Sequence, residues 1–207
     1  MADGRNEFGK SPNLRVTRET FAASKKVMSL FTFIGQALMG WLLADLFSGW
    51  VHWLEDRVLR IDMPILGPAI VLPNRVHHTQ PLKFTYSPFL RRNMWLWIAV
   101  TMISVAMWFI GLPFTLWAAM TIGGLVVNEV HRFAHRPGLT GPLLKTLQKI
   151  GVFQSPRHHA GHHRMPTDTR YCTLTDWLNP ILDRLNVWNG LERILSWIHL
   201  EPNRGTA

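Results

Sequence analysis

At 207 residues, with 47% hydrophobic and only 17% charged side chains, the chain has the length of one domain and is richer in apolar residues than a soluble domain needs. A single cysteine, Cys172, excludes an intrachain disulfide, a Cys-rich zinc module and an all-cysteine iron–sulfur site, so any metal must be held by His, Asp, Glu or Asn. The formal charge of +9 suits nucleic acid or an anionic membrane face; the basic residues flank long uncharged runs and do not interleave with aromatics, which favours the membrane and speaks against nucleic acid.

Residues 1–26 read as a polar N-terminal tail without apolar periodicity, and the apolar run that follows is too long for the core of a cleavable signal peptide. Residues 27–200 read as the membrane-embedded domain and 201–207 as a C-terminal tail. From Val27 to Ala44 no residue is charged, and the apolar character continues past Asp45 to Trp53, long enough on a helix to cross a hydrocarbon core of about 30 Å. Trp41, Asp45, Ser48, His52 and Glu55 follow helical spacing and form one stripe. An intramembrane carboxylate faces the bundle interior with a partner. Asp45 is therefore expected either to accept hydrogen bonds near the headgroups or to orient a metal-binding imidazole, His52 first.

Pro64, Gly67, Pro68 and Pro73 interrupt the next segment, which ends in the pair His77-His78. From Asn93 to Asn128 there is no Asp, Glu, Lys, Arg or His; one helix of that length would be about 54 Å long, so the run must fold back, with Gly111-Leu112-Pro113 as the turn. This gives two further spans, 94–110 and 113–130. The last ends in Asn128, His131 and His135, on one helical face at i, i+3 and i+7. Four histidines then fall within six residues, His158, His159, His162 and His163, at spacings that bring pairs of imidazoles onto one face of a helix. Neutral imidazole binds iron, zinc, copper and nickel, and imidazoles this dense repel one another on protonation unless a cation holds them. Three spans put all nine histidines from His52 to His163 on one side of the membrane, and all nine are candidate metal ligands. His199 stands apart and reads as structural.

The motifs Asp45…Gly49-Trp50-Val51-His52-Trp53…Asp56, His77-His78…Pro81, Asn128-Glu129…His131…His135, His158-His159…His162-His163 and Tyr171-Cys172…Trp177-Leu178-Asn179…Leu182-Asp183 together resemble the Kua/CarF lipid desaturase family, which includes plasmanylethanolamine desaturases. The resemblance runs from about residue 45 to residue 183. It implies an all-α integral membrane bundle of about three transmembrane helices, with a His-rich metal site capped by interfacial helices on one membrane face. It also implies a di-iron desaturase that uses O2 and electrons from an external donor such as cytochrome b5 or ferredoxin to introduce a double bond into a phospholipid alkyl or acyl chain. Two irons need about eight or more ligands. The nine histidines supply them, with Asp45, Asp56, Asn128 and Asp176 as partners behind them and Lys83, Arg164 and Arg170 as candidates for the lipid headgroup. Residues 173–199 are expected to form an amphipathic interfacial helix over the site. A membrane lipid hydroxylase with the same metal site and a non-enzymatic metal-binding membrane protein remain as alternatives. A zinc hydrolase would use a H-E-x-x-H base, which the chain does not contain. Sixteen Lys/Arg follow the first span against six before it, so the His-rich face is expected to be cytoplasmic.

Overall fold

A computed structural model describes residues 12–200, and within them every regular element is helical. Helix α1 runs over Pro12–Arg57, α2 over Leu72–Thr79, α3 over Phe89–Ile110, α4 over Phe114–His135, α5 over Pro142–Lys149, α6 over Pro156–His159, α7 over Leu178–Arg184 and α8 over Val187–Trp197. The expected N-terminal tail lies outside the described residues up to Ser11. From Pro12 its backbone is helical and continuous with α1. The C-terminal tail, 201–207, also lies outside them.

Two of the three expected spans, Lys26–Arg57 and Phe89–Ile110, are long and apolar enough to cross a membrane. Their apolar side chains face outward: Phe31 is 67% and Phe109 83% exposed, unlike those of a helix buried in a soluble core. Helix α4, also 22 residues long, returns beside α3 after Gly111, whose φ of 77° closes the turn where it was expected. Its last two turns carry Asn128, Glu129, His131, Arg132 and His135.

Small residues bring the helices close. Gly40 of α1 lies against the backbone of Leu116 and Met120, and Gly123 and Gly124, about 100° apart on α4, face Ala44 of α1 and Val100 of α3 respectively. One buried cluster therefore joins Ala44, Val127, Val130 and Leu174, and a second joins Trp53, Tyr171, Cys172 and Trp188.

The polar stripe on α1 meets the segment 171–175, which is not helical; the expected helix over 173–199 begins only at Leu178. The segment lies along α1 in the opposite direction. His52 Nδ1 donates to the Tyr171 carbonyl (3.1 Å), Ser48 Oγ accepts from Thr173 N (3.1 Å), and Asp45 Oδ1 accepts from Leu174 N (2.9 Å) and Thr175 N (3.0 Å). Asp45 Oδ2 also accepts from Thr175 Oγ1 at 2.5 Å, and Trp41 Nε1 donates to the Val152 carbonyl. These side chains, with Asn179 on Cys172 N and O, satisfy the backbone groups that a helix would have bonded internally. Asp45 thus anchors a backbone segment and meets no histidine, so of its two expected roles it takes the hydrogen-bond acceptor's. Replacing it, Asp45→Ala, leaves two buried N–H groups without acceptors, and we expect a loss of about 2–4 kcal/mol, seen as a lower thermal midpoint in detergent.

Candidate metal centre

The histidines sort into two groups. Donor atoms of His77, His131, His135, His159 and His163 converge in one, and those of His52, Asp56, His78 and His162 in the other, all within 4.8 Å of one another in each group. Helical spacing explains the membership. His131 and His135, and His52 and Asp56, stand at i,i+4 on one face and share a group. Neighbours on a helix diverge by about 100°, so the doublet His77-His78 on α2 divides, one ring to each group. His162-His163, on the turn after α6, divides in the same way.

In the first group the Nε2 atoms of His131, His135 and His159 form a closed triangle of 2.9, 2.7 and 3.3 Å. A hydrogen bond needs one donor and one acceptor, and three nitrogens cannot alternate around a triangle. A shared cation fits where protons do not: imidazoles at right angles on one ion at about 2.0–2.1 Å lie ~3 Å apart. His77 and His163 join at 3.1 Å from His131 and 3.0 Å from His159.

The second group makes the same case through tautomers. His52 Nδ1 and His162 Nδ1 face the carbonyls of Tyr171 and Thr169 (3.1 and 2.8 Å), which can only accept, so both carry their proton on Nδ1. Each Nε2 lone pair then points at Asp56 Oδ2, 3.9 Å away for His52 and 3.4 Å for His162. These three atoms are buried without a hydrogen-bond partner, and two lone pairs beside a carboxylate call for a cation. His78 Nε2 lies 3.0 Å from Asp56 Oδ1, which also accepts from Asn74 Nδ2.

Several expected roles change. Asp56, read as a partner behind the ligands, stands among the donor atoms themselves. His158, read as a ligand, belongs to neither group; α6 ends at His159, and His158 Nε2 accepts from Asn179 Nδ2 at 3.0 Å. Asn128 donates to the Arg92 carbonyl, while Asp176 accepts from Ser155 N and lies 3.9 Å from His158 Nδ1. Arg170 turns inward over Gly161 and donates to the His158 carbonyl, whereas Lys83 and Arg164 are exposed. The carbonyls of Thr169 and Tyr171 were not legible in the sequence, because main-chain acceptors carry no residue signature.

Burial, then the neighbouring imidazoles, holds His77 and His159 well below the ordinary histidine value and His163 down at about 3. With folded values below the ordinary 6.5, the unfolded chain takes up protons first as pH falls. Metal-free protein should therefore be most stable above about pH 6.5 and lose stability steadily below it, and metal should leave over the same window; a flat thermal midpoint between about pH 7.5 and 5 would contradict this. We further expect His159→Ala to lose most bound metal and His158→Gln to retain it, measured by elemental analysis of protein purified in detergent.

Among the described residues, an all-helical fold with two outward-facing apolar helices long enough to cross a membrane and two histidine-rich donor sets able to hold metal ions at one end of them has the build of a membrane metalloprotein. Comparison with known proteins narrows the class. The model of the lipid desaturase domain matches residues 41–204, and the chain belongs to that family. It is 29% identical over 175 residues to the plasmanylethanolamine desaturase of Myxococcus xanthus, covering 79% of this chain and 60% of the relative. To plasmanylethanolamine desaturase 1 of Mus musculus it is 32% identical, covering 80% and 65%, and to a probable fatty acid desaturase of Acanthamoeba polyphaga mimivirus 30% identical, covering 79% and 82%. The chain thus spans less than two thirds of the length of the two plasmanylethanolamine desaturases. No solved structure matches it.

Proposed function

We propose that the protein is an O2-dependent di-iron desaturase that introduces a double bond into a hydrocarbon chain of a membrane phospholipid, with the alkyl ether chain of plasmanylethanolamine as its substrate. The observation that carries this reading is the pair of adjoining donor sets, five histidines in one and three histidines with Asp56 in the other, each geometrically suited to one ion. Iron bound there supplies the oxidising power, with O2, that no side chain has for removing hydrogen from an unactivated methylene. The plasmanyl substrate is supported by the names of two relatives, and the lipid class by the family.

The chain's own residues hold and shield the site. Asp56 contributes negative charge to one donor set, while the Tyr171 and Thr169 carbonyls fix the tautomers of His52 and His162. Trp53, Tyr171 and Trp188 pack behind the second donor set and keep water from it. In this reading α4 crosses the membrane as a third span, the hydrocarbon chain arrives from the bilayer beside α3 and α4, and its headgroup stays at the interface near Lys83 or Arg164. The His-rich face is cytoplasmic, as the excess of basic residues after α1 favours, and a protein of the cytochrome b5 or ferredoxin type delivers the electrons there. Cys172 is fully buried, so sidedness is tested with a cysteine introduced at Arg164.

The deciding experiment is reconstitution of purified protein with iron, a reductase and donor, O2 and plasmanylethanolamine. We expect close to two irons per chain and a product lacking two hydrogens that releases an aldehyde in acid, as a vinyl ether does. A hydroxylated product would make the protein a lipid hydroxylase, and stoichiometric zinc without iron under iron-replete expression would overturn the reading.

A further inference from the structure

The 3₁₀ turn Lys83–Tyr86 contributes no donor atom to either group, yet its Phe84 ring lies against three imidazoles of the five-histidine group. The ring centroids are 4.7 Å apart for His77, 4.9 Å for His131 and 5.7 Å for His135. A turn of four residues has little intrinsic stability, so something must hold it in place. Two arginines do. Arg132 Nε donates to the Thr85 carbonyl (3.2 Å) and Arg92 Nη1 to the Ser87 carbonyl (2.6 Å), one from α4 and one from α3.

Both arginines are held in turn by Glu129. Its Oε1 accepts from Arg92 Nε (2.8 Å) and lies 2.7 Å from Arg92 Nη2, its Oε2 lies 3.5 Å from Arg132 Nη1, and the buried Asn93 donates to Oε1 at 2.8 Å. One carboxylate between two helices therefore fixes the carbonyls that follow Phe84 in the chain. Arg136 lies over the Tyr86 ring at 4.4 Å and adds a further hold. Around Phe84 in sequence stand Leu82, Tyr86, Phe89 and Leu90, all exposed, leading into the outward apolar face of α3. The ring thus stands beside that exposed rim in sequence and against the imidazoles in space.

We propose that Phe84 is a positioning residue for the hydrocarbon chain: its ring closes the five-histidine group on the apolar side, the chain reaches the group along it, and Glu129 sets its place through Arg92 and Arg132. The approach of a hydrocarbon rests on the desaturase reading; the closure of the group does not. A phenylalanine serving core packing alone would leave access to the group unchanged when it is shortened.

The test uses the full-length, metal-loaded protein in detergent, without lipid, and follows transfer of metal to a water-soluble chelator. Phe84→Ala and Glu129→Gln should start with the parental metal content and release it about tenfold faster, the lower end of what loss of a supporting contact does to a metal site, while Phe84→Leu stays near the parent. If Glu129→Gln fails to accumulate, Arg132→Gln, which removes the hold on Thr85, reads the same step. Parental release rates in Phe84→Ala and in the Glu129 or Arg132 variant would overturn the closure. In turnover, Phe84→Trp should raise KM for the lipid more than it lowers kcat while its release rate stays parental; an unchanged KM would overturn the role toward the chain. Fast release in Phe84→Ala from a parent that makes no desaturated lipid would defeat the desaturase reading and leave the closure standing.

Discussion

The organisation of this protein depends on a run of hydrogen bonds between a helix and a stretch of non-helical backbone. Segment 171–175 lies beside α1 with N–H and C=O groups that water cannot reach, and Asp45, Ser48 and His52 meet them in turn. Each bond is ordinary in strength, but breaking any one strands a buried polar group, so the segment has one register. That register also sets the metal site. The carbonyl of Tyr171, presented at the end of the run, directs the proton of His52 to Nδ1 and frees Nε2. Gly49 permits the close approach, since a Cβ there would meet the side chain and backbone of Cys172.

The donor sets show how two neighbouring ions can be served by few elements. The doublets His77-His78 and His162-His163 each supply one ring to either group, and the i,i+4 pairs His131/His135, His159/His163 and His52/Asp56 each supply two donors to the same group. Both places suit a cation: the triangle of Nε2 atoms cannot be hydrogen-bonded throughout, and the Nε2 atoms of His52 and His162 with the Asp56 carboxylate bring three electron-rich atoms together. Such a site would cost folding free energy when empty and return it on binding a cation, which would couple metal binding to folding.

The site's place at the end of the apolar helices has a chemical consequence. The exposed apolar surface of α1 and α3 gives way within a few residues to the Arg92–Glu129–Arg132 network and then to the imidazoles. A polar cluster so near an apolar face is kept in order by its internal pairing, and an apolar ring, Phe84, lies against three of the imidazoles. Under the proposed function, a lipid chain would approach such a group without carrying water with it.

Much of this was legible in the sequence because it rests on local periodicity. The uncharged run 93–128, its break at Gly111, the stripe on α1 and the i,i+4 histidines all follow from the geometry of a helix and the cost of charge in hydrocarbon. What lay opposite each residue was not legible. Asp45 and Asp56 are both acids on α1, yet one meets backbone N–H groups and the other a cluster of lone pairs. His158 and His159 are adjacent, yet one binds Asn179 and the other joins the five-histidine group. Composition and spacing determine that a residue presents a polar group to the interior; only the chain's return path decides which distant group meets it, because contacts across more than a hundred residues leave no periodic trace in the sequence.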